Sequence, residues 1–158
     1  MNLRGFALFV VLMLSQARQS AAEDQSKPRL LRFAGYDWIV SNSETPTGPG
    51  GNIFPDSVDS VFVDSNGALH LRIRKVLGKW RSAEISLVDS LGYGVYRFAL
   101  GSPVDSLDPN IVAGFFTWSD RPDAHHREMD IEFARWGMRL ATTNAQYVIQ
   151  PQTEHSTR

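Results

Sequence analysis

The sequence has no cysteine among its 158 residues, which excludes disulfide bonds, thiolate metal sites and a cysteine nucleophile. It also lacks an excess of either charge, because 16 lysines and arginines balance 17 acidic residues for a formal net charge of −1. This balance gives no indication of nucleic acid or of an anionic membrane surface as a partner. Long helical periodicity and internal repeats are missing as well. The length suits one domain, or part of one.

One apolar run, residues 6–14, stands near the N-terminus and is too short to span a bilayer as a permanent helix. Arg4 precedes this run, and the small residues Ser20 and Ala22 follow it. The pattern predicts a secretory signal peptide at residues 1–22, with an uncleaved anchor as the alternative. We expect a secreted or periplasmic protein that has no membrane contact after the signal is removed.

The rest of the chain has the pattern of strands and turns. Residues 68–75, ALHLRIRK, alternate apolar and polar side chains as a half-buried strand does. Asn66-Gly67 before them is a strong hairpin signal, and Leu77-Gly78 predicts a second turn. Evenly spaced short strands favour an antiparallel sandwich or barrel. The predicted strands cover residues 68–75, 80–87, 92–100, 111–118, 128–133 and 144–150.

One predicted strand carries three acids at alternate positions. They are Glu128, Asp130 and Glu132, within the segment HHREMDIEFARW. Because residues two apart in a strand point the same way, the acids share one face. The residues between them, Met129, Ile131 and Phe133, share the other face. We expect this apolar face to enter a core and the acidic face to meet water or a cleft.

A row of acids in a strand has two interpretations. It is either a solvated outer face or a functional site, and the pattern alone fits both. Acids are depleted in strands and like charges repel, so the arrangement lowers stability, which a function would explain. Two carboxyl groups about 5–5.5 Å apart are the apparatus of retaining glycosidases, in which one attacks and the other supplies a proton. A crowded row of carboxyls provides both protonation states at one pH.

The segment HREMDIEFARWG resembles the signature E-[ILMV]-D-[IV]-E-F-x-x-x-G of glycoside hydrolase family 16. Further segments are similar and follow in the family's order, so that the resemblance covers nearly all of the chain after the signal. These segments are FAGYDWIVSNS, GPGGNIFPDS, SAEISLVDSLGYGVYRF, VAGFFTWSD and NAQYVIQP. The resemblance implies a β-jelly-roll sandwich of the concanavalin A-like lectin/glucanase type, with a sugar cleft on a concave sheet.

By position, the resemblance makes Glu128 the nucleophile, Glu132 the general acid/base and Asp130 the residue that orients and tunes Glu128. It implies a secreted retaining glycosidase that cleaves β-glycosidic bonds of a polysaccharide such as β-glucan by double displacement. Hydrolysis and transglycosylation share this chemistry, and the sequence does not separate them. We expect a monomer with no cofactor. A structural calcium occurs in many relatives, but its ligands cannot be located here.

The resemblance also indicates residues that bind the substrate. Trp118 and Trp136 are candidates for stacking on sugar rings, with core packing as the alternative for each. Asn144 and Gln146 share one face of the next strand, where the family places amides that bond sugar hydroxyls. Asn52, in a glycine-rich loop, is a further candidate, with an ordinary turn as the alternative.

Two positions depart from the family pattern. Ala99 stands where lichenases usually have an arginine, and His126, a further candidate for substrate binding, stands where they carry a tryptophan shortly before the motif. Both differences weigh against a lichenase-like substrate. His125 and His126 could be metal ligands, but the sequence has no third ligand at a spacing characteristic of a metal site. We therefore expect the two histidines to line the edge of the cleft or to meet solvent. For Trp38 and Trp80 we expect core packing.

Residues 1–22 are the predicted signal, residues 23–28 a linker, and residues 29–158 the N-terminal part of a family-16 domain. The later strands of both sheets are expected to be missing, which would leave strand edges and apolar surface exposed. Two other functions therefore stay open. One is a non-catalytic carbohydrate-binding protein on the same scaffold, although such proteins usually lose one of the acids. The other is an inactive truncated remnant.

Overall fold

The computed structural model describes residues 27–120, 123 and 127–151. The predicted signal peptide and most of the linker lie outside these residues. The described part of the chain is all-β: it consists of antiparallel strands and turns and has no α-helix. It accordingly contains no helix with the length and apolar character needed to cross a bilayer. The chain divides into two compact units, Met1–Ser102 and Pro103–Arg158.

The first unit contains nine short strands. They are β1 (Leu30–Phe33), β2 (Tyr36–Val40), β3 (Ser43–Thr47), β4 (Asn52–Phe54), β5 (Val61–Val63), β6 (Leu69–Leu71), β7 (Arg74–Val76), β8 (Lys79–Arg81) and β9 (Ile85–Leu87). They form a three-stranded sheet in the order β1-β2-β9 and three hairpins, β3-β4, β5-β6 and β7-β8. A small core joins them, because Val40, Val61 and Ala83 are buried together. Half-buried leucines and isoleucine surround this core at positions 31, 69, 71 and 85.

The two predicted turns are confirmed. Asn66-Gly67 closes the β5-β6 hairpin, where the Asp64 carboxylate accepts hydrogen bonds from the N–H groups of Asn66 and Ala68. Gly67 has a φ of +81°, a region that favours glycine. Leu77 and Gly78 both have positive φ between β7 and β8, as the tight turns of two-residue hairpins require.

Two predicted strands are each split in the structure. Residues 68–75 form β6 and β7, because β6 pairs with β5 whereas β7 pairs with β8. The chain changes partner at Arg72, whose N–H donates to the carbonyl of Ser60. Residues 80–87 are divided in the same way between β8 and β9, the second of which pairs with β2. The alternation of apolar and polar side chains therefore does not show where the chain leaves one neighbouring strand and pairs with another.

The strand predicted at residues 92–100 is wrong. The stretch forms no strand, and Tyr93 and Val95 are almost fully exposed. A strand requires a neighbour that takes its N–H and C=O groups. Within the described residues, no strand pairs with this stretch. Trp80 is also exposed, contrary to the expectation of core packing. Trp38 is half-buried and donates its ring N–H to the carbonyl of Phe33 at 3.0 Å.

The second unit contains one three-stranded antiparallel sheet. Its strands are β10 (Val112–Thr117), β11 (Met129–Ala134) and β12 (Ala145–Ile149), with β11 in the centre. All three coincide with strands that the sequence predicts. Asp130 and Glu132 belong to the central strand, so each of them has a paired neighbour on both sides.

Candidate functional site

The acidic row lies on one face of the β10-β11-β12 sheet. Asp130 and Glu132 are two residues apart in β11, and therefore point the same way. Glu128 directly precedes the strand, and its carbonyl accepts the N–H of Gln150, which continues the ladder with the β12 side. The expected sharing of one face by the three acids agrees with this geometry.

The start of the acidic strand is held by a side chain from β10. Thr117 donates its hydroxyl to the carbonyl of Arg127 at 2.7 Å and accepts the N–H of Met129 at 3.0 Å. These two bonds flank Glu128 on both sides along the chain. Arg127 has a φ of +50°, which is uncommon for a residue with a side chain. Thr117 therefore holds the chain in an unusual conformation at the point where the first acid enters the sheet.

The burial of the two faces differs from the expectation. The three acids are half-buried, whereas Met129 on the apolar face is 52 % exposed. Tyr147 and Ile149 of β12 lie on the same face as Met129 and are exposed as well. A single layer of three strands has no second layer of its own to cover an apolar face, so the apolar row is only partly enclosed. The prediction that Met129 enters a core is wrong for the described residues.

The charges of the row act on its middle member. Burial raises the pKa of Asp130 to about 6, and the negative charges of Glu128 and then Glu132 add to the rise. Like charges in a half-buried row resist simultaneous ionisation, so that one carboxyl retains a proton at mildly acidic pH. Asp130 can therefore gain or lose a proton near pH 6, at a position between the two glutamates.

Glu132 has a different neighbour on each side. Gln146 lies directly opposite on β12 and donates an amide N–H from Nε2 to Oε2 of Glu132 at 2.6 Å. Gly114 lies directly opposite on β10 and has no side chain to crowd the carboxyl. Sequence reasoning identified Gln146 but not Gly114. The signal for Gly114 was a glycine inside a strand, which often marks a close approach to a ligand or another group.

Exposed aromatic residues lie in or next to the strands of this sheet. Trp118 directly follows β10 and is 54 % exposed, which fits a binding role better than core packing. Trp136 is exposed in the turn after β11, with a φ of +52°. Phe116 was not identified from the sequence, yet it pairs with Asp130 on the same face and is 45 % exposed. The sequence does not give the register between β10 and β11, and a shift of one residue in that register would move Phe116 to the opposite face.

The remaining candidates are distributed differently. Asn144 adjoins the acidic strand, since its carbonyl accepts the N–H of Ala134. Asn52 belongs to the first unit, where it begins β4 and donates its amide to the carbonyl of Pro49 at 2.7 Å. This bond closes its own loop, as an ordinary turn does. His126 and its neighbour His125 lie outside the described residues.

Across residues 27–120, 123 and 127–151, no three histidine, cysteine or acidic side chains are grouped so that they could hold a metal ion. The described sheet has three carboxyls, one amide that is bonded to Glu132, and exposed aromatic rings in or next to its strands. Carboxyls of this kind transfer protons and attack electrophilic carbon, and aromatic faces bind the apolar C–H faces of sugar rings. No protein-family model, no curated protein and no solved structure matches the chain.

Proposed function

We propose that the chain belongs to a retaining glycosidase that cleaves β-glycosidic bonds of a polysaccharide such as β-glucan. The observation that carries this proposal is the row of three half-buried carboxyls on one sheet face, in which Asp130 stands between the two glutamates. Retaining glycosidases use two carboxyls at one site, one of which attacks while the other supplies a proton. The resemblance of HREMDIEFARWG to the family-16 signature supplies the roles, and with them the proposal of a jelly-roll scaffold.

In the proposed reaction, a carboxylate oxygen of Glu128 attacks the anomeric carbon while Glu132 gives its proton to the departing glycosidic oxygen. The bond from carbon to that oxygen breaks as the bond to Glu128 forms. Water then attacks the same carbon, Glu132 takes a proton from it, and Glu128 leaves. A sugar hydroxyl in place of water gives transglycosylation. Asp130, placed between the two, adjusts the charge of Glu128 at each stage.

Loss of Glu128 tests the proposal. Glu128→Gln should lower sugar release from β-glucan roughly 10⁴-fold, because no nucleophile remains, while binding of the polysaccharide is retained. Glu44→Gln is the control, since Glu44 is an exposed acid paired with Arg81 in the first unit. Binding by the unaltered protein without any release of product would instead indicate a carbohydrate-binding protein.

Azide rescue distinguishes the two glutamates. In Glu128→Ala, azide should replace the nucleophile and give a glycosyl azide of inverted configuration. In Glu132→Ala, azide should intercept the glycosyl-enzyme and give the retained configuration, because the first displacement has already occurred. The anomeric configuration of each product is read by proton NMR. The same configuration from both variants would contradict the assigned roles.

A further inference from the structure

Glu132 and Gln146 are joined by a side-chain hydrogen bond across two neighbouring strands. The two residues are direct partners across the β11-β12 ladder. Both are half-buried, and Nε2 of Gln146 donates to Oε2 of Glu132 at 2.6 Å. Cross-strand partners in register hold their side chains side by side, so the bond does not depend on a chance rotamer.

The bond makes the two oxygens of Glu132 inequivalent. Oε2 receives an N–H in either protonation state, as a carboxylate oxygen or as the carbonyl oxygen of a carboxylic acid. The carbonyl oxygen of a carboxylic acid is a better acceptor than its hydroxyl oxygen. The bond from Gln146 to Oε2 therefore favours the proton of a neutral Glu132 on Oε1. Within the described residues, no side chain forms a hydrogen bond with Oε1 in the structure.

We propose that Gln146 is a positioning residue for Glu132, which fixes Oε1 as the oxygen that gives and takes the proton. This inference rests on the proposed glycosidase function. In the first step the proton leaves Oε1 for the departing glycosidic oxygen, and in the second step a proton from water returns to Oε1. The amide keeps its bond to Oε2 throughout, so no reorganisation of the carboxyl is needed between the steps.

The role differs from the sugar binding that the family resemblance implies for Gln146. One N–H of its amide is committed to Glu132, while the second N–H and the carbonyl oxygen are left for a sugar hydroxyl. A pure sugar-binding residue would affect the Michaelis constant. A positioning residue affects the proton transfer, and hence the pH dependence and the response to the leaving group.

The test uses Gln146→Met and Gln146→Leu, neither of which offers an N–H donor to Glu132. Without the donor, neither oxygen of Glu132 is fixed as the one that carries the proton. The kcat/KM on β-glucan should fall about 10–100-fold. An oligosaccharide with a dinitrophenyl leaving group should lose less than about threefold, because its departure needs no proton.

A second readout does not depend on turnover. The ¹³C chemical shift of the labelled Glu132 carboxyl is recorded at one fixed pH in the unaltered chain and in both variants, with Tyr147→Phe as the control on the opposite face of β12. A change of this chemical shift in the Gln146 variants alone supports the inference. If the unaltered chain hydrolyses β-glucan and neither the chemical shift nor the response to the leaving group changes in a folded variant, Gln146 does not position Glu132. If the chemical shift changes but the unaltered chain cleaves nothing, the hydrogen bond to Glu132 holds and the proposed function fails.

Discussion

Gly114 lies directly opposite Glu132 across the β10-β11 ladder. A Cβ at position 114 would stand 3.3 Å from the carbonyl oxygen of Ile131 and 3.6 Å from Cγ of Glu132. The first distance is shorter than ordinary van der Waals contact, and the atom concerned belongs to the backbone, which cannot turn aside. A side chain at position 114 would therefore press on the backbone of β11 directly beside Glu132.

Filling that space should impair the site. We expect Gly114→Val to lower kcat/KM on β-glucan roughly 100-fold, because a misplaced Glu132 transfers its proton poorly. The free energy of unfolding should fall by about 1–3 kcal/mol from overpacking. Gly114→Ala should show the same effects more weakly. Gly101→Ala is the matched control, since a Cβ there meets nothing within 4 Å. Equal activity of Gly114→Val and the unaltered chain would remove Gly114 from the site.

The stability of the protein should depend on pH through Asp130. Burial and the neighbouring charges raise the pKa of Asp130 to about 6, above the value of about 3.9 for an unfolded chain. A raised carboxyl pKa contributes stability that is fully present below the unfolded value and is lost as pH rises through the folded value. Asp130→Asn should therefore be more stable than the unaltered chain above pH 6.

Solvent screening limits that gain to on the order of 1 kcal/mol, and the difference should vanish below about pH 4. Thermal melts between pH 4 and 8 measure it. Asp89→Asn serves as the control, because Asp89 is exposed and outside the row. A gain for Asp130→Asn that is the same at every pH would show that the acidic row does not couple as described.

Glu84 is a second carboxyl that should respond to pH. Burial raises its pKa, and the hydroxyl of Ser41, which donates to Oε1 at 2.6 Å, offsets the rise in part. The ionised form is thus disfavoured in the folded protein, and stability declines as pH rises. Glu84→Gln keeps the acceptor for Ser41 and should stabilise the protein by about 1 kcal/mol at pH 7, with no gain at acidic pH.

Chemical denaturation at pH 4 and pH 7 measures that difference. Glu44→Gln is the contrasting variant, because it removes an exposed ion pair with Arg81 and should change the free energy of unfolding by about 1 kcal/mol or less. A Glu84→Gln protein that is less stable at pH 7 than the unaltered chain would show that the ionised carboxyl has a favourable partner in solution.

Arg29 should matter through its planar donor group. Its Nε donates to the carbonyl of Asp56 at 2.6 Å and its Nη2 to the carbonyl of Val61 at 3.0 Å. Lysine cannot reproduce this two-pronged geometry, so Arg29→Lys should lower the free energy of unfolding by about 1–3 kcal/mol. Arg32→Lys, in an exposed pair with Asp37, should change it by less than about 0.5 kcal/mol. Equal effects of the two substitutions in urea unfolding would contradict this role for Arg29.

The predictable parts of the fold were those with local causes. Asn66-Gly67 and Leu77-Gly78 were identified as turns because each turn needs positive φ at named positions. The strand predicted at residues 92–100 failed, because a ladder depends on a neighbour elsewhere in the chain. The break at Arg72 was hidden for the same reason, since both halves of the segment keep their alternation while they pair with different strands.

The candidate site likewise has features that the local sequence determines and features that depend on strand pairing. Alternation by itself determined that Glu128, Asp130 and Glu132 share one face, because side chains two apart in a strand always do. Only the tertiary structure decided that Glu132 lies between Gly114 and Gln146, and that the acids are half-buried while Met129 is exposed. Register joins residues that are 14 to 18 positions apart in the chain. It arises from the packing of whole strands, which no local pattern encodes.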